Sequence, residues 1–181
     1  MKRLTFALSI FYLAIHSVSF GQDRAIGLRL GPSNFGNAAE VSYQHGFSEK
    51  NRLELDFGLR SNYHYNIIGL SVIYHWRWNI DGGLNWYIGP GGQLGFYNHR
   101  HNHSHGHGHG HGHPHYHDHD DDDFRESGAI LNIGGQIGLE YDFNEHGVPI
   151  QLSIDTRPMW GFLNYYRGPW YGGALGIRYT F

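Results

Sequence analysis

From position 99 to position 119 every odd residue is histidine: His99, His101, His103, His105, His107, His109, His111, His113, His115, His117 and His119. Eleven of the chain's 16 histidines therefore fall in 21 residues. The spacers are Arg100, Asn102 and Ser104, then four glycines, then Pro114, Tyr116 and Asp118, and the run ends in Asp120, Asp121, Asp122 and Asp123. Neutral imidazole is a good ligand for Zn²⁺, Cu²⁺ and Ni²⁺, and neighbouring carboxylates add oxygen donors. With almost no apolar surface to bury, the segment builds no core of its own. Its glycines let the chain fold back, so imidazoles distant in sequence can meet around one ion. The eleven histidines with Asp118 and Asp120 to Asp123 are the candidate metal ligands. At roughly four ligands per ion they would hold about two to three ions, with no single histidine essential. Two plainer readings compete, a vector-derived tag and an incidental low-complexity expansion. Tags are terminal and contiguous, whereas this repeat is internal and strictly alternating.

No other local motif carries chemistry. There is no nucleophile elbow, phosphate loop or HExxH pair, and His45, His64, His75 and His146 are isolated histidines of the structural or solvated kind. No catalytic residue and no required cofactor is expected; Zn²⁺, or Ni²⁺ or Cu²⁺ in its place, enters only as a ligand. An enzyme acting on lipid is the one catalytic alternative, because a site assembled from His, Ser and acids on neighbouring strands leaves no motif.

The elements that must position the histidine segment begin after an export signal. Residues 1–22 read MKRLTFALSIFYLAIHSVSFGQ, with a basic start at Lys2 and Arg3, an apolar run from Leu4 to Ile15, and Ser19, Phe20 and Gly21 as small-x-small. This is a secretory signal peptide over 1–21, cut after Gly21; the apolar run is short for a membrane-spanning helix of ~20 residues. Removing it leaves 11 basic and 16 acidic residues, a formal charge of −5, and Asp118 with Asp120 to Asp123 accounts for all five. The remainder is neutral, which excludes a basic nucleic-acid footprint. With no Cys, the chain can be neither a lipoprotein nor a disulfide-stapled secreted domain.

The mature chain, 22–181, alternates apolar with polar or glycine residues in eight segments, the period of strands with two unlike faces. They are 25–31, 38–45, 52–60, 67–78, 83–97, 129–143, 148–160 and 171–181. One face carries Leu, Ile, Val and aromatics. The other carries Arg29, Arg52, Arg60, Arg77, Arg157 and Arg178 against Glu40, Glu54, Asp56, Glu140, Asp142 and Asp155, with glycines between them. Glycine weakens a water-facing strand, but inside a narrow barrel it leaves room for long charged side chains, so the charged face is read as the lumen. Eight strands fill their interior with side chains, and the matched charges are expected to form a plug and no channel. Aromatics on the apolar face, Tyr43, Trp76, Trp78, Trp86, Tyr141, Phe143, Tyr179 and Phe181, gather at the strand ends nearest the short turns, where an interfacial girdle belongs. Connections after the second, fourth and sixth segments are short. Those after the third, fifth and seventh are longer, and the longest, 98–127, is the His/Asp-rich one. The fold expected is all-β, an eight-stranded antiparallel up-and-down transmembrane β-barrel, with 98–127 as an extracellular loop between strands five and six.

The last eight residues, ALGIRYTF, place Gly176, Tyr179 and Phe181 as in the C-terminal assembly signal of bacterial outer-membrane barrels; Ala174 stands where a polar residue is usual. The mature chain resembles the small barrel family typified by OmpX and the membrane domain of OmpA. The resemblance implies insertion by the outer-membrane assembly machinery, with outer-membrane lipid as surroundings and a Gram-negative bacterium as host. It implies no single activity, since such barrels include adhesins, structural anchors and lipid-modifying enzymes. The leading expectation is a non-enzymatic barrel whose loop captures or buffers divalent metal ions at the cell surface, and the alternative is a structural or adhesive barrel with an incidental His tract.

Overall fold

The computed structural model describes residues 24–34, 36–61, 65–99, 127–163 and 167–181. The expected leader over 1–21 lies outside the described residues. Ten strand segments follow in order: β1 (Arg24–Ser33), β2 (Gly36–Ser48), β3 (Asn51–Ser61), β4 (Tyr65–Asp81), β5 (Leu84–His99), β6 (Ser127–Asp142), β7 (Ile150–Thr156), β8 (Met159–Gly161), β9 (Gly168–Trp170) and β10 (Gly173–Thr180). Each pairs antiparallel with its neighbours, and β1 pairs with β10, so the sheet closes. β7 and β8 are one barrel strand: both follow a single register on β6, with Thr156 opposite Ile137 and Met159 opposite Gly134. Pro158 between them has no N–H to give to a ladder. Likewise β9 and β10 form one strand, paired with β8 and β7 respectively. The barrel thus has eight strands, two of them in pieces, where the sequence led us to expect unbroken segments.

Strand ends also run further than the alternation indicated. β3 reaches Ser61 and β4 starts at Tyr65, so the connection between them is three residues, shorter than the long loop expected after strand three. The ladder there ends on Ser61 opposite Asn66, both polar, and polar residues pair in a strand above the apolar belt without breaking it. Between β1 and β2, Ser33 pairs with Gly36, and Gly36 has φ 100, the left-handed region that a side chain resists.

The registers fix the shape. Stepping across the ladder from Ala25 leads to Gln44, Glu54, Ile73, Gly91, Gly134, Met159 and Trp170. The last strand and β1 keep one register from Ala25 opposite Thr180 to Ser33 opposite Gly172, and on that register the circuit closes ten residues beyond its start. A stagger of ten over eight strands tilts them by about 40° to the axis. At that tilt the ten residue steps from Trp86 to Phe96, both outward, rise about 25 Å, the height of an outer-membrane apolar belt.

The outer wall is apolar throughout. Leu30 is 55% exposed, Leu175 65% and Phe96 68%. The girdle aromatics lie outward at the rim that carries both described chain ends, the terminal rim, with Trp78 stacked on Trp86 and Tyr179 on Phe181. The core is inside out relative to a water-soluble protein, because the solvent of the wall is hydrocarbon and the buried interior is polar.

Candidate functional site

Of the expected metal ligands, only His99 lies within the described residues. It ends β5, and its backbone is in register with Tyr65. The other ten histidines, with Asp118 and Asp120 to Asp123, lie outside them. Asn98 and Ser127 pair directly, so the two strands that bound the segment are laddered up to its base. Among the described residues, no group of three or more His, Cys, Asp or Glu could hold a metal ion. The lone histidines part company: His45 lies in β2 beside Tyr43 and Phe47, His146 accepts or shares a proton with the Tyr141 hydroxyl at 3.0 Å in a 3₁₀ turn, and His75 is fully buried. His64 lies outside the described residues.

Below the segment, the lumen is filled by a continuous charged network. Arg29 is paired with Glu40 and Asp155, and Arg60 with Glu40. Arg157 reaches Asp56 at 2.5 Å, Glu54 at 3.1 Å and the Gln136 carbonyl oxygen at 2.8 Å. Arg178 donates to Glu54 at 2.9 Å and to the hydroxyls of Ser42 and Ser153 at 3.0 and 2.9 Å. Arg52 is paired with Glu140 at 2.5 Å, lies 4.7 Å from the Tyr87 ring centroid, and donates from Nε to His75 Nδ1 at 3.2 Å. His75 is therefore a neutral ring with its proton on Nε2. Five buried arginines face five buried acids, one fewer of each than the sequence indicated. The sixth pair sits at the terminal rim, where Arg77 and Asp142 are only half-buried because their strands end there.

The inward glycines make this network possible. A Cβ on Gly138 would lie 2.6 Å from the Tyr87 hydroxyl and 2.7 Å from Asp155 Cβ, and one on Gly58 would lie 2.4 Å from Glu40 Cγ. Large polar side chains occupy the space that glycine leaves.

One layer of the lumen was not foreseen. Toward the loop rim it turns apolar, with Ile67, Ile73, Ile130, Met159 and Trp170 buried together and Tyr97 packed against them. Arg60 sits 5.4 Å from the Trp170 ring centroid, joining this cap to the charged network. Ile67, Ile73 and Ile130 share the parity of the charged residues, so strand alternation does place them inward; their meeting needs the register of four strands. Beneath the cap, the void between Arg29, Arg60, Arg157 and Trp170 is only about 20 Å³, room for about one water.

No protein-family model and no curated protein matches the sequence. Solved structures do. The N-terminal β-barrel domain of Pseudomonas aeruginosa OprF is 22% identical with a TM-score of 0.57, covering 88% of this chain and 97% of that one. Neisserial surface protein A is 13% identical with a TM-score of 0.57, over 88% and 96% of the two chains. Ail, the attachment invasion locus protein of Yersinia pestis, solved with the heparin analogue sucrose octasulfate, is 12% identical with a TM-score of 0.53, over 88% and 97%. The chain thus has the fold of the small eight-stranded outer-membrane barrels. Its apolar wall, aromatic girdle and closed polar interior make it a resident of the outer membrane of a Gram-negative bacterium.

Proposed function

We propose that this barrel is a non-enzymatic anchor that displays its histidine segment outside the cell, where the segment captures or buffers Zn²⁺ or another divalent transition metal ion. The observation that carries the reading is the alternation itself: eleven imidazoles at every second position of an otherwise polar stretch. What supports it is the support beneath. β5 and β6 are paired up to Asn98 and Ser127, and among the described residues the lumen is filled by side chains. Gly176, Tyr179 and Phe181, placed as in the barrel-assembly signal, support insertion by the barrel-assembly machinery. We read the segment as outward because it is the longest connection of the barrel and both described chain ends lie at the opposite rim.

The test is a strain that lacks only residues 99–123, grown under zinc starvation and under zinc excess. Altered growth in either condition with the barrel still in the membrane is the expected result. An unchanged phenotype would favour a structural or adhesive barrel with an incidental His tract. Altered lipid on deleting the whole gene but not the segment would favour an enzyme.

A further inference from the structure

The outer wall is not evenly covered. Across β1, β2 and β3 the outward residues of one ladder row are Leu30, Ala39 and Leu59. Neighbouring strands lie ~4.8 Å apart, so the two leucines stand ~10 Å from each other with only a methyl group between them. The result is a notch of about 450 Å³ that follows β2, with Gly31 and Ala38 in its floor. Its sides at this row are apolar. The next outward position toward the loop rim is polar: Asn37 and Ser61 line the notch there, opposite each other in the ladder and both exposed.

The stagger of the barrel sets its depth. The row of Leu30, Ala39 and Leu59 continues through Ile68 to Phe96 and climbs toward the loop rim as it passes round. Phe96 stands at the top of the apolar belt. Leu30, at the start of that row on β1, therefore lies about halfway down the belt, and Ser61 lies near its top. The notch occupies the loop-rim half of the belt, with its apolar end toward the bilayer centre and its polar lip toward the surface. A lipid has that same polarity, a hydrocarbon chain below and its polar linkage above. The gap is about one strand wide, ~5 Å, which admits a single extended chain. The convex wall of a second barrel could place no more than a side chain in it.

The lip narrows the class of lipid. The Ser61 hydroxyl donates to Asn66 Oδ1 at 2.8 Å, which leaves its oxygen free to accept. Asn37 brings a carboxamide oxygen as a second acceptor and an amide as donor. Glycerophospholipid esters offer only acceptors at this depth, whereas a hydroxyacyl chain also carries a donor. We infer that the notch holds one hydroxyacyl chain of the outer-leaflet glycolipid, its hydroxyl between Ser61 and Asn37 and its methylenes over Ala39 between the two leucines. The inference uses the outward orientation of the loop rim and none of the histidine chemistry.

The experiment is native mass spectrometry of the full mature barrel in detergent, titrated with lipid A and, separately, with phosphatidylglycerol. One lipid A per barrel is expected, retained about fivefold better than phosphatidylglycerol, the value of roughly one hydrogen bond. Ala39→Phe fills the notch from outside and should abolish retention, while Asn37→Leu should hold the two lipids alike. Ile137→Phe, equally outward on β6 across the barrel, should change nothing. Equal retention of the two lipids by the wild type, no retention of either, retention that survives Ala39→Phe, or a dimer that Ala39→Phe breaks overturns the inference. Should Ala39→Phe fail to assemble, judged by its heat-modifiable gel migration, the comparison of lipids on the wild type and Asn37→Leu still decides. Binding in detergent does not depend on orientation, which protease cleavage of the histidine segment on whole cells reads separately.

Discussion

Replacing Arg178 tests the charged plug most directly. Arg178 is 1% exposed and makes three side-chain bonds, to Glu54, Ser42 and Ser153. Removing one member of a buried pair costs about 3–5 kcal/mol, because the partner's charge stays buried. In Arg178→Met, Glu54 keeps Arg157 at 3.1 Å and the Gln44 amide at 2.5 Å, so the loss belongs at the low end, ~3 kcal/mol. Arg178→Glu also sets a second carboxylate against Glu54 and is expected to lose more than ~5 kcal/mol or to fail to assemble. Equilibrium urea unfolding in lipid vesicles reads this out. With a slope of ~1–3 kcal/mol per molar urea, a loss of 3 kcal/mol lowers the midpoint by at least about 1 M. Adding Glu54→Gln to Arg178→Met should restore part of the loss, since the charge left unpaired is then gone. A wild-type midpoint for Arg178→Glu would refute the reasoning: the lumen acids would then owe nothing to the arginine that touches them.

Gly138→Leu should block assembly, because its Cβ falls within 2.7 Å of Tyr87 and Asp155 in a closed interior; normal heat-modifiable migration would contradict this. Trp170→Ala removes the largest member of the loop-rim cap and should cost about 3–5 kcal/mol in the same urea assay, without opening a conducting path, because the ion network beneath stays in place. Ion conductance of the wild type in planar bilayers would show the lumen to be open. Deleting Phe181 should lower surface levels far more than deleting residues 99–123, as measured by fractionation. If the histidine segment binds metal through neutral imidazole, which protonates at ~6.5, binding should be found at neutral pH and be lost as pH falls from about 7 to about 5.5. Calorimetry should find little change for one His→Ala and none of the heat for the eleven-fold variant.

The barrel was legible because its two faces are chemically opposite and strand parity is a rule of two. Outward residues such as Leu28, Val41, Phe57, Leu70, Ile137 and Ile177, and inward ones such as Arg29, Glu54 and Arg178, all took the sides that alternation assigned them. Strand ends were harder to read, since polar residues such as Ser61 and Asn66 continue a ladder above the apolar belt while resembling a loop. Which inward groups touch was not legible at all. Arg157 meets Glu54 and Asp56 from about a hundred residues away, and only the stagger of the barrel brings them level.

The pairing of β1 with β10 carries a consequence for how the chain comes together. Every other seam of the barrel joins strands adjacent in the chain, but this one joins 25–30 to 175–180. It is the one seam whose partners lie 145 to 155 residues apart, so its closure carries the largest loop entropy of any seam. Without that seam β1 would be an open edge, a template for pairing with any other strand. The residues that end that exposure are the same ones that sit at the chain's end, Gly176, Ile177, Arg178 and Tyr179, and Arg178 carries the guanidinium that reaches across the lumen to Ser42 and Glu54. The strand that seals the wall thus delivers a keystone of the interior in the same movement, and a barrel whose edge is still open is also one whose plug is incomplete.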